Sequence, residues 1–138
     1  MGAIISRMLC GVDNVTIILS GRSEIVVSEH SGFQALEHEL KGKGATLRYI
    51  ACDVSKLADV SAVYESIKED YLSLNGIIHA AGLLRDSLIL NKTEQEIDEV
   101  FAPKVQGICN IDQVSRGEHL DFILLCSSIA AALGNSCL

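Results

Sequence analysis

The sequence predicts a three-layer α/β fold in which a parallel β-sheet has helices on both of its faces. Two observations predict it: helical and strand patterns alternate along all 138 residues, and the connections between them are short. Alternation with short connections is typical of crossover units, which make the strands parallel. We find no internal repeat, linker or low-complexity segment, and we therefore expect one domain over residues 1–138.

The first half of the chain predicts two helices alternating with two strands. The stretch AIISRMLC is typical of a short helix, and VTIILS (Val15 to Ser20) of a buried strand. In GFQALEHELKGKG, apolar residues share one helical face before two glycines end the helix. The next strand is ATLRYIA.

The second half continues the same order. The stretch KLADVSAVYESIKEDY has apolar residues at helical spacing, and NGIIHA is a strand that leads into a glycine turn. Thr93 and Glu96 have the spacing of a capping box, which predicts the start of a long helix. The stretch LDFILLCS is the fourth strand, which we expect to be buried.

Composition and charge exclude several classes of function. The net charge of −7 would repel phosphodiester backbones, so we expect no nucleic-acid partner. No apolar run approaches the roughly 20 residues of a membrane span, so we expect no membrane partner. The five cysteines are scattered and odd in number, which favours neither a disulfide framework nor a metal site. Together with the absence of a signal-peptide pattern, this indicates a reducing cytoplasm.

The residues after each predicted strand indicate a ligand site. Ligands of parallel α/β sheets bind beyond the carboxyl ends of the strands. In this sequence the four strands are followed by GRSE, CDVS, AGLL and SSIA, which are small, polar or charged segments. The pattern predicts one shared ligand-binding edge.

Arg22 is a candidate for binding a phosphate at that edge. In dinucleotide-binding folds, an arginine at the end of the fold's second strand can bind the 2′-phosphate of NADP. Its guanidinium forms two parallel hydrogen bonds with a phosphate group. A solvated surface arginine is the alternative. Glu24 favours a different ligand, because a carboxylate here can bind the ribose hydroxyl of NAD.

Two further strand ends have both a functional and a structural interpretation. Asp53 can accept a hydrogen bond from an adenine amino group, or Asp53 or Ser55 can cap the helix that follows. Gly82 in HAAG suits a close approach of the backbone to a ligand, or an ordinary turn. We interpret His79 as a core histidine whose hydrogen bonds are satisfied.

Lys104 is the candidate that the helical pattern alone indicates. Steps of four, three and four residues from Ile97 lead to Phe101, Lys104 and Ile108, so the pattern predicts a lysine on the buried face of the long helix. Lysine is rarely buried without a partner, and Pro103 before it is expected to kink the helix. The alternative is a lysine whose side chain extends to the surface.

The sequence resembles the ketoreductase domain of modular polyketide synthases, a Rossmann-like branch of the short-chain dehydrogenase/reductase superfamily. The resemblance lies in ILSGRSE, ACDVSKLADV, NGIIHAAGLLRDSLI, FAPKVQG and LDFILLCSSIAAALG, in order and over nearly the whole chain. It implies NADPH-dependent reduction of a β-ketoacyl thioester to the β-hydroxyacyl form, in polyketide or fatty-acid biosynthesis. The implied partners are an acyl carrier protein, which holds the substrate, and other polyketide synthase domains.

The resemblance also assigns roles by position. It implies that Lys104 is the catalytic lysine and that Ser128 donates a hydrogen bond to the substrate carbonyl, although Ser128 or Ser127 can instead cap the next helix. Asp86, the last residue of a Leu84-Arg85-Asp86 stretch, indicates the B-type hydroxyl configuration. The implied cofactor-binding residues are Gly2, Arg22, Ser23, Asp53, Val54, Ala80, Ala81, Gly82 and Ser127.

The chain departs from the family pattern at both ends. The family's first strand and most of its glycine-rich loop precede the residue that matches Gly2, and its tyrosine and asparagine would follow Leu138. We therefore expect a sheet that lacks its first strand and C-terminal part, and little activity from these 138 residues alone. Two alternatives to a reductase are a noncatalytic structural or interaction module and an NADPH-binding protein that keeps the reductase core.

Overall fold

The computed structural model describes residues 2–9, 14–24, 31–71, 73–85, 88–128 and 133–134. Its helices are α1 (Gly2–Leu9), α2 (Ser31–Lys41), α3 (Leu57–Tyr71), α4 (Glu94–Phe101) and α5 (Gly107–Ser115). Its strands are β1 (Thr16–Gly21), β2 (Thr46–Ala51), β3 (Gly76–His79) and β4 (Phe122–Leu125). A 3₁₀ turn (Ile89–Asn91) precedes α4, and a π turn (Ala102–Gln106) joins α4 to α5. The predicted alternation of helices and strands is confirmed.

The strands form two parallel pairs. β1 pairs with β2 in a register that runs from Thr16 opposite Thr46 to Gly21 opposite Ala51, whereas β3 pairs with β4. Within the described part of the chain these are two separate two-stranded sheets. In the doubly wound order 3-2-1-4-5-6, strand 2 is a neighbour of strand 3, and strand 4 is a neighbour of strand 5. The pairing is thus the one expected for strands two to five of that order.

The structure divides into two compact units, residues 1–52 and 53–138. In the first, α2 packs on β2, and Arg7 of α1 forms an ion pair with Glu39 of α2 (Nε–Oε2 2.8 Å). Its core consists of the buried side chains of Ile17, Leu36, Leu40, Ala45 and Leu47. The prediction of one domain over residues 1–138 stays a prediction.

In the second unit α3 packs against α5. Val60 and Ile67 of α3 and Ile111 of α5 are buried. Among the helices that the structure describes, none is both long and apolar enough to cross a membrane.

The prediction that LDFILLCS is a buried strand is wrong. All four residues of β4 are 44–54% exposed. Burial of a parallel strand requires neighbours along both edges and helices over both faces. In the described residues β4 has a hydrogen-bonded neighbour along one edge, which is β3.

Candidate functional site

Lys104 and the HAAG segment lie side by side in the second unit. β3 ends at His79, and Ala80 and Ala81 continue from it, half-buried, to the exposed Gly82. A Cβ atom added to Gly82 would lie 3.8 Å from Cε of Lys104. The structure therefore brings together the lysine and the small residues that the resemblance places at the cofactor.

The prediction that Lys104 lies on a buried helical face is wrong. Lys104 is exposed, as are Phe101 (56%) one turn before it and Ile97 (42%) two turns before it. The prediction assumed one regular helix, but the π turn at Ala102–Gln106 adds a residue to a turn and rotates the faces on its two sides relative to each other. The regular buried face begins only after this turn, at Gly107.

Local sequence explains the π turn and the start of the helix that leads to it. Thr93 and Glu96 form the predicted capping box, in which the Thr93 hydroxyl accepts a hydrogen bond from the Glu96 amide and the Glu96 carboxylate accepts one from the Thr93 amide. The Glu96 carboxylate accepts hydrogen bonds from the amide and from the hydroxyl of Thr93, and these two bonds lower the pKa of Glu96. Pro103 has no N–H to donate, and its ring excludes a regular α-turn geometry with the carbonyl four residues earlier. The structure has a widened turn at Pro103, a feature that is frequent at functional sites, while the kink expected there stays a prediction.

Asp53 forms side-chain hydrogen bonds within the turn that precedes α3. Its Oδ1 atom accepts hydrogen bonds from the amide of Ser55 (3.1 Å) and from the Ser55 hydroxyl (2.7 Å). Its own amide donates to Oδ2 of Asp59 (3.1 Å) in the first turn of α3. Asp53 thus stabilises the turn before α3, while the capping of the helix by Asp53 or Ser55 and the contact of Asp53 with adenine both stay predictions.

Asn110 is a site residue that the sequence analysis missed. It is buried (2% exposed), and its Nδ2 atom donates to the backbone carbonyl of Val54 (2.9 Å). Its Oδ1 atom accepts from Nε2 of Gln106 in the π turn (2.8 Å). Asn110 thus joins the Asp53–Val54 segment to the helix that carries Lys104. The signal in the sequence was a polar amide on the apolar face of a helix, since such a residue needs a buried partner.

Gly107, the first residue of α5, lies close to His79. A Cβ atom on Gly107 would lie 3.0 Å from Cγ2 of Val54 and 3.2 Å from Cε1 of His79. His79 is buried, as expected of a core residue, but its Nε2 atom has no hydrogen-bond partner among the described residues. The core position of His79 is therefore confirmed, whereas a hydrogen-bond partner for its Nε2 atom stays a prediction.

The predicted phosphate-binding residues follow β1 in the first unit. Arg22, Ser23 and Glu24 are all exposed. The hydroxyl of Tyr49 on β2 donates a hydrogen bond to the backbone carbonyl of Ser23 (2.6 Å). The sequence analysis assigned no role to Tyr49. Gly2, which it assigned to the cofactor, is the first residue of α1.

The two serines continue directly from β4. The amide of Cys126 donates to the carbonyl of His79 (2.9 Å), and Ser127 and Ser128 follow it in an exposed segment. Residues 129–132 lie outside the described residues, so the capping alternative for these serines stays open.

The segment that the resemblance connects with product configuration is only partly described. Asp86 lies outside the described residues. Its neighbour Arg85 forms an ion pair with Glu99 of α4 (Nε–Oε2 2.9 Å), and the Arg85 carbonyl accepts from Nζ of Lys92 (2.6 Å). The B-type assignment stays a prediction.

Comparisons with known proteins agree with this geometry. Residues 1–137 match the family model described as the KR domain. The chain is 38% identical over 122 residues to the polyketide synthase PksN of Bacillus subtilis. The matched residues make up 88% of this chain and 2% of that protein. It is 33% identical over 136 residues to Pks1 of Mycobacterium tuberculosis, which is named as a putative inactive phenolphthiocerol synthesis polyketide synthase. The matched residues make up 98% of this chain and 8% of that protein.

Solved structures show the same similarity. A ketoreductase from the macrolactin assembly line superposes with a TM-score of 0.91 at 35% identity, over 99% of this chain and 27% of that one. A ketoreductase domain from the bacillaene assembly line gives a TM-score of 0.90 at 36% identity, over 99% of this chain and 32% of that one. The chain thus spans about a third or less of the length of these solved chains.

The parallel strands, the alternating helices and these superpositions define a Rossmann-like α/β fold, as the sequence predicts. The chain belongs to the ketoreductase (KR) domain family of polyketide synthases.

Proposed function

We propose that this chain supplies part of the active site for NADPH-dependent reduction of a β-ketoacyl thioester to the β-hydroxyacyl form in polyketide biosynthesis. The substrate is held on an acyl carrier protein. The proposal rests on the position of Lys104 beside Gly82. This position places a cationic side chain next to the small-residue segment that follows β3. Membership of the KR family supports the reaction type.

The residues present fit NADPH. Arg22 and Ser23 are exposed after β1, so a guanidinium and a hydroxyl are accessible to a 2′-phosphate. Gly82, with no side chain of its own, leaves space beside Lys104 that a larger residue would fill. By resemblance Gly2, Asp53, Val54, Ala80, Ala81 and Ser127 would also hold the cofactor. NADPH, when bound, supplies the hydride for the substrate's β-carbon.

Lys104 and Ser128 act on the carbonyl oxygen. An ammonium and a hydroxyl that donate to this oxygen stabilise the negative charge that develops on it as the carbonyl becomes an alkoxide. Loss of one such donor typically lowers kcat by about 10²–10³-fold. The proton that completes the alcohol requires a general acid, which the resemblance identifies as a tyrosine. The chain has three tyrosines, and none follows Ser128.

The test is NADPH oxidation with a β-ketoacyl thioester by the natural full-length protein and by its Lys104→Met and Ser128→Ala variants. We expect both variants to lower kcat by about 10²-fold or more. Lys56→Met, at an exposed lysine before α3, is the matched control and should keep full activity. These 138 residues alone should show little turnover, since loss of a general acid costs about 10²–10⁴ in rate.

The same assay, together with a binding titration with NADPH, distinguishes the alternatives. A structural module would show neither turnover nor saturable NADPH binding. A noncatalytic NADPH-binding protein would bind NADPH without turnover. Full activity of Lys104→Met would contradict the role of Lys104 directly.

A further inference from the structure

We propose that Tyr49 is a positioning residue that holds the Gly21–Ser23 segment in place for a 2′-phosphate and thereby contributes to preference for NADPH over NADH. The inference rests on the proposed function in one respect, the identity of the cofactor. Tyr49 belongs to β2, whereas the Gly21–Ser23 segment begins at the last residue of β1.

Tyr49 contacts the segment through its hydroxyl. It lies opposite Leu19 in the β1–β2 register, two residues before the end of each strand. From there its hydroxyl donates a hydrogen bond of 2.6 Å to the backbone carbonyl of Ser23. Phe33 of α2 packs edge-on against the Tyr49 ring, with ring centroids 6.0 Å apart, and restricts the ring from the side of the helix. Packing of the Tyr49 ring thus limits the positions that its hydroxyl can occupy.

Gly21 makes the second contact. A Cβ atom at Gly21 would lie 2.9 Å from the Tyr49 hydroxyl oxygen, closer than such atoms approach without a shift. Because Gly21 has no side chain, the Tyr49 hydroxyl can lie next to it at the end of β1 and reach the carbonyl of Ser23. The residues on both sides of Arg22 thus lie next to the same tyrosine side chain, and we expect this side chain to order the backbone that carries the guanidinium.

The Tyr49 hydroxyl stays a donor across the physiological range. Burial raises the pKa of Tyr49, and the neighbouring Cys52 thiol raises it further. The neutral phenol therefore keeps the proton that it donates to Ser23. A segment that is already ordered loses less conformational entropy on binding, which strengthens the binding of the group that it contacts.

The test separates the 2′-phosphate from the rest of the cofactor. Isothermal titration of the natural full-length protein uses two nucleotides without nicotinamide, adenosine 2′,5′-bisphosphate and adenosine 5′-monophosphate. Tyr49→Phe should raise the Kd of the bisphosphate by about threefold to tenfold, the usual effect of one lost hydrogen bond, and leave the Kd of the monophosphate unchanged. Tyr71→Phe, at an exposed tyrosine that ends α3, is the matched control and should change neither Kd.

A second variant tests the contact itself. Gly21→Ala should also raise the Kd of the bisphosphate, because its Cβ displaces the Tyr49 hydroxyl. Adding Tyr49→Phe to Gly21→Ala removes the atom at 2.9 Å and leaves the nearest ring carbon at 3.8 Å, so the double variant should bind no more weakly than Gly21→Ala alone. Independent effects would instead multiply.

The outcomes distinguish this inference from the proposed function. Equal weakening of both nucleotides by Tyr49→Phe, or no effect on either, would overturn the role of Tyr49 while leaving the reductase proposal intact. Multiplied effects in the double variant would overturn the shared contact. Failure of the unaltered protein to bind either nucleotide would overturn the proposed cofactor and this inference together.

Discussion

The Cε atom of Lys104 lies 3.8 Å from the position that a Cβ atom would occupy on Gly82. The two residues come from different elements of the second unit, the π turn and the segment after β3. This distance is an ordinary van der Waals contact for a methyl group. A methyl group at residue 82 would thus contact Lys104, and we expect a larger side chain to displace it.

Gly82→Val should displace the Lys104 side chain and lower kcat for ketone reduction. A displacement of about 1 Å at a reacting group can cost up to about 10²-fold in rate. Gly82→Ala should be tolerated because its methyl group fits at 3.8 Å. The measurement is steady-state NADPH oxidation, with Gly117→Val as the control at a glycine that faces open space. Unchanged kcat in Gly82→Val would show that Lys104 does not act from this position.

Arg22→Ala should weaken NADPH binding by about tenfold to hundredfold, the effect of losing a hydrogen bond to a charged group. NADH binding should be nearly unchanged, because NADH has no 2′-phosphate. Fluorescence titration of the natural full-length protein with both cofactors measures the two Kd values. Lys41→Ala, at an exposed lysine that ends α2, controls for the loss of a positive charge in the same unit. Equal weakening of both cofactors would refute the assignment of Arg22.

Local signals were sufficient to predict most elements of the fold. The capping box of Thr93 and Glu96 formed as predicted because its bonds join residues three apart. The glycine stop of α2 is also local: Gly44 adopts a positive φ of 77°, and the helix ends at Lys41. Helix starts and ends of this kind depend on a few consecutive residues.

The failed predictions depended on contacts that are distant in sequence or on a local irregularity. The buried position of Lys104 was inferred from a regular helical period, which the π turn interrupts. Burial of β4 required neighbours that strand composition does not report. Asn110 reaches Val54 across 56 positions, and Tyr49 reaches Ser23 across 26, so neither hydrogen bond has a signature in a short window of sequence.

Gly107→Ala should destabilise the second unit. Its Cβ would lie 3.0 Å from Val54, which moves little because Asn110 binds its carbonyl, and 3.2 Å from the buried His79. Overpacking of this kind typically costs about 1–3 kcal/mol, more than the roughly 1 kcal/mol that alanine gains over glycine in a helix. Thermal unfolding measures the change.

A second substitution identifies the contact responsible. Val54→Ala removes the Cγ2 atom, so the double variant Gly107→Ala/Val54→Ala should be less destabilised than the sum of the single variants. A Gly107→Ala protein as stable as the unaltered one would show that Val54 and His79 move aside without cost.

Glu118 should make the stability of the second unit depend on pH. The hydroxyl of Tyr64 and the ammonium of Lys68 (3.0 Å) donate to its carboxylate, and these bonds, followed by the charges of Lys68 and His119, lower the pKa of Glu118 below its ordinary value of 4.5. A lowered carboxylate pKa contributes stability that is complete above 4.5 and is lost as the pH falls through the pKa of the folded state.

The bond to Glu118 has the opposite effect on Tyr64. It raises the pKa of Tyr64 above its ordinary value of 10.0, so the stability from the protonated phenol is complete below that pH and is lost as the pH rises through the raised value. Glu118→Gln should therefore lower Tm near neutral pH, and the difference from the unaltered protein should shrink in acid. Glu65→Gln, at an exposed glutamate of α3, is the control. A difference in Tm that stays constant down to about pH 2 would contradict the role of the ionised carboxylate.

The measurement that tests the proposed reaction most directly is transfer of deuterium from NADPH to product. The natural full-length protein is incubated with a β-ketoacyl thioester and NADPH that is deuterated at both C4 positions, and the product is analysed by mass spectrometry. If the protein is a ketoreductase, one deuterium appears on the β-carbon of a β-hydroxyacyl thioester, and Lys104→Met slows its appearance by about 10²-fold. Saturable binding of NADPH without labelled product, or labelled product formed equally fast by Lys104→Met, would contradict the proposal that these residues form part of a working reductase site.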